Sequence, residues 1–83
     1  MNPRVTSVKP MHPYRLLLSF DNGEQRIFDV APYLGIGIFK ELTSGGLFYS
    51  VRVVEGTIQW QNEADFCPDT LYLESHPVEE TVK

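Results

Sequence analysis

Eighty-three residues, 42% of them hydrophobic and 22% charged, suffice for one domain that buries about 60% of the surface its unfolded chain exposes, which excludes a multi-domain enzyme with an interdomain cleft. No apolar run approaches the roughly 20 residues that span a bilayer, and Met1-Asn2-Pro3-Arg4 lacks the apolar stretch of a signal peptide, so the expected location is cytoplasmic, with no membrane partner. The formal charge of −4 is unevenly spread: through Val54 six cations face four anions for a net +2, and beyond it Lys83 faces seven anions for a net −6. An acidic end of this kind repels a phosphate backbone and suits a basic partner.

In chain order, Arg4 to Lys9 reads as a first strand that stops at Pro10, whose missing N–H suits an edge or a strand end. The first hairpin follows: Tyr14 to Phe20 and Glu24 to Val30 flank Asp21-Asn22-Gly23, a turn signal because Asn and Gly tolerate positive φ. With Asp21-Asn22-Gly23 as a three-residue loop, Leu16 faces Phe28, Leu17 faces Ile27 and Arg15 meets Asp29. That register gathers Tyr14, Leu16, Leu18, Phe20, Phe28 and Val30 on one face. Pro32 can open a short helical turn, and Phe39-Lys40-Glu41-Leu42 another that ends before Gly45-Gly46. A second hairpin closes at Glu55-Gly56, setting Val53 against Ile58, Arg52 against Gln59 and Trp60 on the core side. Pro68 to Glu74 reads as a last short helix, with Asp69 in its first turn. The expectation is one α+β domain over residues 1–75, a mostly antiparallel sheet of about five strands with short helices covering one face. Residues 76–83 read as a disordered acidic tail.

Chemistry-bearing patterns are sparse. Cys67 has His12 and His76 as candidate partners, but neither shows the spacing of a nucleophile–base pair or of a metal site, so no catalytic residue, metal or cofactor is implied. Gly35-Ile36-Gly37 lacks the later glycine and the strand-to-helix setting of a phosphate loop. Arg4, Arg15, Arg26 and Arg52 all fall on expected strands. Gathered on one sheet face they would form a basic stripe for nucleic acid; the bland alternative is solvent-side arginines, with Arg15 paired to Asp29. Asp65 reads as a loop or cap residue ahead of Pro68.

The segment from Trp60 to Tyr72 is the densest mixture of aromatic, amide and carboxylate groups. Together with Pro3-Arg4-Val5, the Tyr14 to Val30 hairpin, the Trp-x-Asn-x-x-Asp run of Trp60, Asn62 and Asp65, and Pro68-Asp69-Thr70-Leu71-Tyr72, it makes the chain resemble the small bacterial domain of unknown function 2442 family over roughly residues 3–75. The resemblance carries no established activity. Some members look like the amino-terminal part of helix-turn-helix proteins, whereas others stop after this domain and sit beside another small gene. The resemblance therefore implies a protein-binding or regulatory module, an antitoxin-like half of a two-gene pair, whose partner is the product of the neighbouring small gene. Direct operator binding is not expected without the helix-turn-helix, and an aliphatic residue in the family pattern at Cys67 argues against a catalytic thiol. Asn62, Asp65, Asp69 and Tyr72 are the binding candidates on this reading, and Arg4, Arg15, Arg26 and Arg52 those of the nucleic-acid alternative. A small enzyme or ligand-binding domain ranks behind both. A homodimer is also expected, by pairing of an exposed strand edge.

Overall fold

The computed structural model describes residues 2–78. Among them, β1 (Val5–Met11), β2 (Arg15–Phe20), β3 (Gln25–Asp29) and β7 (His76–Pro77) form a four-stranded antiparallel sheet in the order β1-β2-β3-β7. A second antiparallel sheet has the order β4 (Arg52–Val54), β5 (Thr57–Gln59), β6 (Asp65–Phe66). The two are stitched where the Val5 N–H donates to the Gly56 carbonyl at 2.9 Å. Three 3-10 segments, Ala31–Tyr33, Gly37–Thr43 and Leu47–Ser50, fill the stretch between β3 and β4, and one α-helix, α1 (Pro68–Leu73), precedes β7.

The fold is α+β, as expected, and both hairpins adopt the expected register: Arg15 opposite Asp29, Leu16 opposite Phe28, Arg52 opposite Gln59 and Val53 opposite Ile58. The strands differ in number and grouping. Seven strands in two sheets replace about five in one, because β6 and β7 have two residues each and show no alternation to read. The sheet also extends two residues past Ser75, since His76 pairs with Ile27 and Pro77 with Arg26; of the expected tail, residues 79–83 lie outside the described residues.

Alternation places the core. Leu16, Leu18, Phe20 and Phe28 from the four-stranded sheet and Val30 just beyond it meet Ile58, Trp60 and Phe66 from the other side, with Leu42, Phe48 and Leu71 from the helical pieces. The Phe66 ring lies 4.9 Å from Phe28 edge-on and stacks 4.7 Å from Phe39. Trp60 is fully buried, and its indole N–H donates to the Phe48 carbonyl at 2.9 Å, so its polar atom is satisfied inside the core. The Cα trace is a slab of 32 × 30 × 18 Å, thin enough for two layers around one core. Each layer therefore turns its outer sheet face to solvent.

Candidate interaction surface

The eight site candidates do not converge; the structure divides them among four places. Asn62 is structural. It sits in the loop Gln61-Asn62-Glu63 joining β5 to β6, where its Oδ1 accepts the Ala64 N–H at 3.1 Å and its Nδ2 donates to Glu41 Oε1 at 2.9 Å. The loop closes when the Trp60 N–H donates to the Ala64 carbonyl (2.8 Å) and the Glu63 N–H to the Trp60 carbonyl (2.9 Å). Asp21-Asn22-Gly23 has the same construction: Asn22 Oδ1 accepts the Glu24 N–H, the Phe20 N–H donates to the Glu24 carbonyl, and the Gly23 N–H to the Phe20 carbonyl. Each loop keeps its third residue left-handed, Gly23 at φ 90° and Glu63 at φ 74°.

Arg26 and Tyr72 form the second place. Arg26 lies opposite Leu18 and so points to the core side. Its Nε donates to Ser75 Oγ and a terminal nitrogen to the Ser75 carbonyl, both at 2.7 Å, while the guanidinium sits 4.6 Å over the Tyr72 ring. Ser75 Oγ in turn donates to the Tyr72 carbonyl at 3.0 Å, and Tyr72 packs edge-on against Phe20 at 5.2 Å. This network pins the C-terminal end of α1 to β3. Ser75 is buried and was not a sequence candidate; the signal for it was the parity of Arg26 with Phe28, which sends that arginine inward.

Arg15 stands alone on the outer face of the four-stranded sheet. It is opposite Asp29 but not ion-paired with it, and Asp29 Oδ1 accepts the Ala31 N–H at 3.0 Å; among the described residues the ion pair is Arg26 with Glu24. The four arginines therefore do not make one basic stripe. Alternation sends Arg15 outward and Arg26 inward, and Arg4 and Arg52 belong to the other sheet's side of the molecule.

The remaining four share that side. Arg52, Gln59 and Asp65 lie opposite one another across β4, β5 and β6 and form one outward row, with an Arg52 guanidinium nitrogen 3.4 Å from Gln59 Oε1. Asp65 is exposed in a strand and does not cap α1, whose cap residue is Cys67 with no side-chain cap bond; this corrects the expected capping role. With Pro68 in the first turn, one of the donors such a cap would serve is already missing. Where β6 enters α1, a shallow cavity of about 220 Å³ is lined by Asn2, Arg4, Cys67, Pro68 and Asp69. Asn2 Nδ2 donates to Asp69 Oδ1 at 3.2 Å, and Arg4 reaches the Glu55 carbonyl at 3.5 Å with its stem laid on Gly56. A Cβ at Gly56 would sit 2.5 Å from Arg4 Cδ, so glycine there makes room for the arginine as well as for its own φ of 84°.

The arrangement offers guanidinium donors, an amide and carboxylate acceptors on an uncovered face of the small sheet. Neither His12 nor His76 lines the cavity beside Cys67, and among the described residues no three His, Cys, Asp or Glu side chains converge in metal-binding geometry. A second cavity, about 230 Å³, opens between the β1–β2 turn and the 3-10 segments beside Tyr14, Phe48 and Tyr49, and holds none of the expected site residues.

A family model covers this whole two-sheet unit, matching residues 5–77. The chain belongs to the DUF2442 family, described as a protein of unknown function. No curated protein and no solved structure matches it. The DUF2442 match ends at Pro77, so it takes in β7 along with both hairpins. Among the described residues of this DUF2442 domain, no helix is long and apolar enough to cross a membrane.

Proposed function

We propose that this DUF2442 domain is a cytoplasmic polypeptide-binding module that engages its partner through the outer face of the three-stranded sheet. The observation that supports the reading is the outward row Arg52-Gln59-Asp65, with Arg4 and Asp69 together at the cavity where β6 enters α1. Cations and carboxylates carried on one side of the molecule match a surface that itself carries both signs. A phosphate backbone, which wants cations alone, meets Asp65 and Asp69 on the same side as Arg4 and Arg52. The partner is the product of the neighbouring small gene, with this chain as the regulatory, antitoxin-like member of the pair. Co-expression of the two products followed by capture tests it. Arg52→Glu and Asp65→Arg, both exposed and with unchanged melting, abolish co-purification; recovery at parental yield with both variants removes this face from the interface.

A further inference from the structure

We propose that two copies of the chain pair face to face through the outer side of the four-stranded sheet, about a two-fold axis that runs along the strands between β2 and β3. The helical pieces pack on the opposite, core side, and this outer face presents three rows: Met11-Arg15-Asp29, Lys9-Leu17-Ile27-His76 and Ser7-Ser19-Gln25. A two-fold in that position sets each residue against its cross-strand neighbour in the other copy. The hairpin register then writes the interface. Arg15 meets Asp29 of the second copy, Leu17 meets Ile27, and Ser19 meets Gln25, each twice. Lys9 meets the imidazole of His76 at the rim. Opposite charges fall together and the half-buried apolar pair lies at the centre, a polar rim around an apolar middle.

Two observations favour a second copy on this face. Arg15 is exposed and has no ion-pair partner among the described residues, although Asp29 is directly opposite. The strand edges, by contrast, are poor templates for pairing: β1 carries Pro10 and has its Val5 N–H bonded to Gly56, β7 carries Pro77, β6 runs into Cys67-Pro68, and β4 has three residues. Association therefore goes through side chains rather than an edge. Strands about 4.8 Å apart, with seven, six, five and two residues at about 3.3 Å each, give a face of roughly 300 Å² per copy. That is below the roughly 1,200 Å² total of a stable specific interface, so the dimer is weak and concentration-dependent, with Kd on the order of 10–1,000 µM.

Sedimentation of the full chain from about 10 µM to about 2 mM tests this, the range being set by that interface size. The mass rises from 9.5 kDa towards twice that value, and a mass fixed at 9.5 kDa throughout overturns the proposal. Arg15→Asp, which places two carboxylates together, abolishes the dimer, and the swap Arg15→Asp with Asp29→Arg restores it. A dimer indifferent to the first variant, or a swap that stays monomeric while its circular dichroism matches the parent, overturns the pairing. In a Cys67→Ser background, Ser19→Cys mixed with Gln25→Cys is joined by a flexible bis-maleimide mainly as the mixed pair, the facing sheets lying about 10 Å apart; equal or greater yields of the two like pairs overturn this geometry. The Arg15 and Asp29 variants lie on the outer face of the four-stranded sheet, away from Arg52, Gln59 and Asp65, so their result stands apart from the partner-binding reading.

Discussion

Glu63 is a residue out of place in a loop whose twin shows what belongs there. The loops at Asp21-Asn22-Gly23 and Gln61-Asn62-Glu63 share two closing backbone bonds and the asparagine that completes them, yet one uses glycine at its left-handed position and the other glutamate at φ 74°. A residue with a Cβ is disfavoured there by about 1–2 kcal/mol, partly offset by the extra freedom glycine brings to the unfolded chain. Glu63→Gly is therefore expected to stabilise the domain by about 0.5–1 kcal/mol, an upward shift of a few degrees in thermal midpoint. The reverse change, Gly23→Ala, costs about 1 kcal/mol through conformation alone, since a Cβ there meets nothing within 4 Å. Gly56→Ala costs more than Gly23→Ala, because strain at φ 84° is joined by the contact with Arg4 Cδ. Equal melting of the two alanine variants would show that Arg4 swings away freely.

At the scale of elements, the link between α1 and β3 is a guanidinium used as a fork. Arg26 serves both the hydroxyl and the carbonyl of buried Ser75 while lying on Tyr72, with its own side chain 14% exposed, so its bonds are formed largely out of water. Arg26→Ala is expected to cost about 2–3 kcal/mol, since it leaves a buried carbonyl short of a donor. Arg26→Lys recovers only part of that, because a lysine cannot reach both oxygens in the plane of a fork. Glu24→Gln stays within about 0.5 kcal/mol, as its 3.4 Å pair to Arg26 is 41% exposed on the carboxylate side. Urea titration of the three variants gives the order; a Glu24→Gln variant as damaged as Arg26→Ala would move the weight from Ser75 to the ion pair. These elements also show what the chain reveals in one dimension. Both hairpins were readable, because turn chemistry at Asn22-Gly23 and Glu55-Gly56 fixes a register and alternation of apolar residues fixes a face. The same parity sends Arg26 inward, and treating the arginines as a set by charge rather than by position hid the Ser75 fork. The two-residue strands β6 and β7 carry no period, and the division into two sheets depends on the Val5–Gly56 contact between residues far apart in sequence. The polar row Arg52-Gln59-Asp65 needed β6 to be known first.

The whole molecule is built so that neither sheet stands alone. Isolated sheets of three or four short strands bury too little to be stable, and here the cores are one: Phe66 packs on Phe28, Phe48 lies 5.1 Å from Tyr14, and the Val5–Gly56 bond ties the sheets at one corner. A domain of this length has a total stability of about 4–12 kcal/mol, and Leu18→Ala, at a fully buried position on β2, is expected to remove about 2–5 kcal/mol of it. The lone tryptophan, Trp60, follows β5 of the three-stranded sheet, so its emission reports on the sheet that does not carry that substitution. With a single core, emission and far-UV ellipticity lose their native values at the same urea concentration, and Leu18→Ala lowers both midpoints together. Ellipticity that fell in Leu18→Ala while Trp60 emission held would separate the sheets into two cooperative units. The three-stranded sheet, with its row of Arg52, Gln59 and Asp65, would then persist as the more stable part, and a partner bound there would protect that unit without protecting the other.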